Sequence, residues 1–322
     1  MTARKWISSA AIVLATLVTL ARAGTVQTPA AAAPQTAFKA PHASRAPMMA
    51  AARTGSRLVS VGDYGTVLLS DDNGHSWRQA TQVATRETLT AVSFVDDKQG
   101  WAVGHGGVVM ATRDGGENWE QLYAAGKGVV LFSVYFSDAK RGLAVGAFGY
   151  AMETRDGGRS WRELSISQGE QADRHLYDIF VGANSDIWVT AEAGGLFHSV
   201  DGGDTFTTVK LPYKGSIWGG LTLKNGSLIV WGMRGHVLLS VDQGSSWRDV
   251  QSGSEEAFTA GIQMPDGELV LVGLGGVVSR SRDGGHTFST QTQPERQSYT
   301  ALVATDGAPQ SFTLTGLGGP LP

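Results

Sequence analysis

Cysteine is absent from all 322 residues. That removes disulfides, thiolate catalysis, iron–sulfur clusters, cysteine-ligated zinc and lipoprotein anchoring together. Charge is sparse too, at 17% of residues, and no basic run occurs, which argues against nucleic acid as a partner. The seven histidines show no metal-ligand spacing, and His75 and His286 read as surface polar residues. Beyond Leu20 no apolar stretch is long enough to span a bilayer. Downstream of the N-terminal region no ten-residue stretch carries a helical period, so an α-helical fold is excluded. Glycine is the opposite case. Its 43 copies are about twice the usual share without a three-residue period, so they belong in turns rather than in a collagen.

The N-terminus has the layout of a secretory signal. Arg4 and Lys5 precede 14 uncharged, mostly apolar residues from Ile7 to Leu20, and Ala21-Arg22-Ala23 offers small residues at the cleavage positions. Residues 1–23 are therefore expected to be a signal peptide cleaved after Ala23, with export, most simply to a periplasm. An uncleaved anchor is the alternative. Loss of Arg4, Lys5 and Arg22 would leave 23 basic and 29 acidic residues, a mildly acidic chain. Residues 24–47 are rich in Ala, Thr and Pro, with four prolines, and read as a linker or a strap lying on the domain.

Six octets superimpose without gaps: SDDNGHSW, TRDGGENW, TRDGGRSW, SVDGGDTF, SVDQGSSW and SRDGGHTF. Their aspartates, Asp72, Asp114, Asp156, Asp201, Asp242 and Asp283, are spaced by 42, 42, 45, 41 and 41 residues. Between octets, runs such as AVSF, WAV, VVMAT and WEQL alternate with turns rich in Gly, Asp and Asn. These are short strands with tight turns, and four per repeat of about 42 residues is the grammar of a propeller blade. In the octet, the Asp is expected to accept backbone N–H groups of its own turn and the Gly to supply a left-handed conformation. Trp77, Trp119, Trp161, Phe206, Trp247 and Phe288 are expected to open the fourth strand and fill space between blades. Six equal copies mark a structural staple, since an active site needs only one.

Residues 48–322 are thus an all-β propeller. Met48 to Gly65 supplies the first two strands of blade one, and YTALVATDG with QSFTLTGLGG supplies a half-blade after the sixth octet. Seven blades are expected, the last being short or closed by both termini, with the Phe38 region pairing onto the C-terminal half-blade. Six blades is the alternative.

The octets are Asp-boxes, or BNR repeats, and the units AVSFVDDKQGWAVGHGGVVMATRDGGENW and SVYFSDAKRGLAVGAFGYAMETRDGGRSW resemble the photosystem II stability/assembly-factor family over residues 48 to 319. That resemblance implies a non-catalytic scaffold that binds a protein partner, an integral membrane complex during its assembly, and in phototrophs a role in photosynthesis. It implies no cofactor. A monomer is expected. The competing class within the same superfamily is a sialidase- or xyloglucanase-like glycosidase, or a carbohydrate binder.

No Arg-Ile-Pro signature, no G-x-S-x-G elbow and no nucleotide loop is present. Glu87, Glu170, Asp173, Glu192, Glu255, Glu256 and Glu295 fall in the right class of loop, yet nothing marks a catalytic pair among them. No catalytic or metal-binding residues are assigned. A binding face is expected where the loops between strands two and three meet the variable inter-blade links. It would carry Tyr64, Arg86, His105, Lys127, Phe148, Tyr150, Arg174, His175, Tyr213, Lys214, Arg234, His236 and Arg296, a mix of aromatic and basic residues suited to a protein segment. Trp218 and Tyr299 belong to the same face or line the channel.

Overall fold

A computed structural model describes residues 35–306 and 311–321. The signal peptide and its cleavage site lie outside them. Successive strands pair antiparallel with their chain neighbours, and seven such sheets follow one another: an all-β, seven-bladed propeller. Six blades have four strands of their own repeat, and the seventh has three, Tyr299–Ala304, Phe312–Gly316 and Gly319–Leu321. The first strand of every blade faces the central channel, and the fourth is outermost.

The second and third strands carry the core. Gly100–Gly104, Leu228–Gly232 and Leu269–Gly273 are buried at every residue, because both faces of a blade are covered by neighbours. Apolar clusters therefore fill the seams between blades, as where Trp101 and Val103 pack with Leu131, Val134 and Phe136 of the next blade.

Each octet forms a closed hydrogen-bonded turn. In the second blade Thr112 Oγ1 donates to Asp114 Oδ1 at 2.9 Å, Asn118 N to the same oxygen at 2.9 Å, and Asn118 Nδ2 to Asp114 Oδ2 at 2.8 Å. Gly116 N donates to Thr112 Oγ1, and Trp119 Nε1 closes the turn on Gly116 O at 2.8 Å. Trp77, Trp161 and Trp247 make the same indole bond, which Phe206 and Phe288 cannot. The second glycine position has a further reason. Gly74, Gly116, Gly158, Gly244 and Gly285 hold φ between 84° and 90° and lie against Thr313, Val59, Trp101, Trp188 and Ile229 of the preceding blade. A Cβ there would meet both a disfavoured backbone and a neighbouring side chain.

Ring closure differs from the expectation. Phe38 does not pair with the last blade. Its carbonyl accepts Gln79 Nε2, and Arg86 lies 3.7 Å over its ring, at the outer edge of blades one and two. Ala37 N donates to Val83 O, and Lys39 Nζ to Ala80 O. Gln82–Val83, in the link between blades one and two, pairs in parallel with Asn118–Trp119 and adds a fifth strand to blade two. The outer edges of blades one and two thus capture the strap before it can reach blade seven as a strand. Only the short turn Ala43–Arg45 arrives there, with Ser44 O against Gly319. The ring closes instead through Thr300 Oγ1 donating to Met48 O at 2.6 Å, Asp306 N to Asn73 Oδ1 at 3.1 Å, and the Arg53–Asp306 ion pair.

Candidate functional site

The turns between strands two and three and the inter-blade links share one face, and the octets lie on the other. In blades one to six the turn is pinned to a link by a backbone bond, as Asp63 N to Pro47 O, Ala147 N to Val130 O and Met233 N to Ser216 O. Their central residues stand in the left-handed region: Tyr64 (φ 54°), Phe148 (54°), Ala193 (53°) and Arg234 (55°). For a residue with a side chain this costs about 1–2 kcal/mol. Non-glycine residues held there persist only where surrounding structure enforces them. The geometry throws Tyr64 and Phe148 outward, 73% and 72% exposed, and Met233, Leu274 and Leu317 are exposed at the same turns. Five of the eight exposed large apolar side chains among the described residues therefore lie on this face.

The expected binding residues all fall here, but not all are available. Arg86 is occupied: its guanidinium donates to Thr36 O and Gln35 Oε1 and covers Phe38, so it holds the strap. Arg296 pairs with Glu256 at 2.9 Å, and Arg174 reaches Ala193 O at 3.4 Å. Tyr150 turns its hydroxyl to Glu163, 3.1 Å away, and burial followed by that bond pushes the phenol up to about 12. Lys127, His105, Lys214 and Arg234 are exposed. Of the seven loop carboxylates, Glu256 is in that pair with Arg296 and Glu192 accepts His175 N at 3.3 Å.

Blades three to five bring the aromatic members together. His175 Nδ1 accepts Phe148 N at 3.0 Å. Phe148 and His175 meet edge to face at 4.8 Å, and Phe132 and Tyr177 stack at 5.9 Å. Tyr213 and His236 stack at 4.0 Å. Trp218 lines the channel, whereas Tyr299 is buried in the seam between blades six and seven.

Of the channel wall, sequence reasoning offered only Trp218 and Tyr299. In every blade the first strand bulges at its second residue, and the skipped residues are Met49, Thr90, Phe132, Tyr177, Trp218, Thr259 and Thr300. A bulge re-aims a side chain, and all seven line a channel of about 450 Å³. Thr90, Thr259 and Thr300 spend their hydroxyls on carbonyls of the next blade, Leu131, Tyr299 and Met48. Phe132, Tyr177 and Trp218 leave the opposite arc aromatic. One residue further on, most blades carry Ala or Gly, but blade four carries Asp178. Its carboxylate accepts Ser133 Oγ at 3.1 Å and Gly220 N at 3.4 Å, tying three blades together. Burial pushes this carboxyl up to about 6 against those bonds. Aligning the repeats at this register would have exposed Asp178 as the exception.

Comparison with known proteins accords with this architecture. The family model described as photosynthesis system II assembly factor YCF48 matches residues 126–219. No curated protein matches the chain in sequence. A solved structure of YCF48 bound to D1 peptide is 18% identical, with a TM-score of 0.69 over 89% of this chain and 94% of that one. YCF48 from Cyanidioschyzon merolae is 17% identical, with a TM-score of 0.67 over 86% and 94%. An ancestral GH74 enzyme shares the fold at 13% identity and a TM-score of 0.66, covering 88% of this chain and 45% of its own.

Proposed function

We propose that this chain, an Asp-box propeller similar to the photosystem II assembly factors, is a non-catalytic factor that binds a peptide segment of a membrane-protein complex during its assembly. The observation that carries this reading is the set of exposed apolar side chains on the turn face. Tyr64 and Phe148 are presented on backbone that resists them, and nothing in the fold uses their outer surfaces. Large aromatic side chains exposed on rigid turns are what protein recognition employs. The YCF48 structure with a D1 peptide supports a peptide ligand of the same kind here. The N-terminal sequence supports export, and so a partner segment on the far side of the inner membrane.

Affinity capture from solubilised membranes of the source organism tests this. The wild type is expected to retain an integral membrane protein. The triple variant Tyr64→Gly, Phe148→Gly, Leu274→Gly should lose it, while an octet-face variant, Arg113→Ala with Arg155→Ala, should keep it. Equal capture by all three proteins would reject this face. Turnover of aryl glycosides, abolished by changing one of the loop carboxylates, would reject the non-catalytic reading.

A further inference from the structure

We propose that the channel mouth on the turn face, at blades three to five, is a binding site for an organic ammonium group. Phe132, Tyr177 and Trp218 form its aromatic wall and Asp178 supplies its counter-charge. The four come from one register. Each aromatic is the bulged residue of its first strand, turned to the channel. Asp178 follows Tyr177 directly, its carboxylate is held by the residue after Phe132, and Gly220, two residues after Trp218, donates to it.

The chemistry selects the ligand class. Asp178 is a carboxylate in a confined channel, and among the described residues no cation pairs with it. Its hydrogen bonds come from one hydroxyl and from backbone N–H groups, none of them carrying a charge. A hard metal ion would want six or more oxygens. The described residues contain no cluster of three metal-ligating side chains, so the site is poorly built for one. An alkylammonium is different. It is satisfied by aromatic faces together with a single carboxylate, and desolvation strengthens that attraction.

This site does not depend on the proposed membrane partner. Ligand-observed NMR with n-butylammonium and tetramethylammonium chlorides tests it, with n-butanol and sodium chloride as controls at matched concentration. Saturable binding of both ammonium ions by the wild type is expected, without binding of n-butanol or displacement by sodium. Asp178→Asn should weaken binding at least tenfold, and Trp218→Leu by about three- to tenfold. The Trp218 variant carries the test alone if the Asp178 variant does not fold. No saturable binding, equal binding of n-butanol, displacement by sodium, or unchanged affinity in folded variants would overturn the proposal. A peptide with one lysine, set against its norleucine counterpart, identifies the source. Affinity more than tenfold above n-butylammonium assigns the site to a lysine of a bound segment, and equal affinity assigns it to a free amine.

Discussion

The octet aspartates and Asp178 are carboxylates pushed in opposite directions by their surroundings. Asp72, Asp156 and Asp283 are drawn down to about 2, first by the hydroxyls of Ser76, Ser160 and Thr287, and Asp114, Asp201 and Asp242 are lowered as well. A group whose pKa falls on folding stabilises the fold above its unfolded value, and that contribution disappears as pH drops through the folded value. Asp178 is raised instead, so its contribution is complete below about 4 and is lost as pH rises through about 6. Stability should therefore fall below about pH 4, through the octets, and also decline between about pH 4 and 6, through Asp178. Asp178→Asn should abolish the second decline, raising stability at pH 8 by on the order of 2–3 kcal/mol, in urea titrations across pH. If the variant declines as the wild type does between about pH 4 and 6, the burial of an uncompensated carboxylate is not what the channel contains. For the octet, Asp114→Ala leaves Thr112, Asn118 N and Asn118 Nδ2 without their acceptor. A loss of about 1–3 kcal/mol in unfolding free energy, read from urea titrations, is expected. The octet's internal logic was legible in the sequence because its donors and acceptor lie within a few residues of one another. The indole bond to the glycine carbonyl was not, since a Trp read as space-filling conceals a directed N–H.

At the scale of the element, the turn between strands two and three is where the fold and the proposed binding face meet. Its backbone is fixed by bonds to the inter-blade link, and its tip residue is committed to the left-handed region whatever its side chain. Phe148→Gly removes the backbone cost and with it the contact to His175, so the two effects oppose each other. Thermal melts should place that variant within about 1 kcal/mol of the wild type. A larger destabilisation would mean that Phe148 serves the fold rather than recognition. Strand order, turn positions and the location of the face were readable from the alternation of apolar runs with Gly- and Asp-rich turns. Occupancy was not. Arg86 looks from its link like a binding residue, yet it is spent on Phe38 and Thr36, residues about 50 positions earlier in the chain.

On the scale of the whole molecule, the ring closes without a strand shared between the termini. Blade seven meets blade one through the Thr300 hydroxyl, the Asp306 amide and the Arg53–Asp306 pair, while the strap lies across blades one and two. Freeing the strap should therefore leave the propeller closed. Arg86→Ala with Phe38→Ala is expected to make residues 35–47 readily cleaved in limited proteolysis, with the fragment from 48 onward still resistant. Breakdown of that fragment at the same rate would show that the strap holds the ring. Seven blades, their order and the octet staples follow from repetition along the chain. Each staple is completed inside eight residues, and apart from the parallel Gln82–Val83 strand each blade pairs strands adjacent in sequence, so local pattern suffices. The path of the strap, the crowding of aromatics at blades three to five and the isolation of Asp178 arise from residues some 40 or more positions apart. Which of them share the channel mouth depends on the curvature and register of the closed ring, and that is a property of packing between blades rather than of any one repeat.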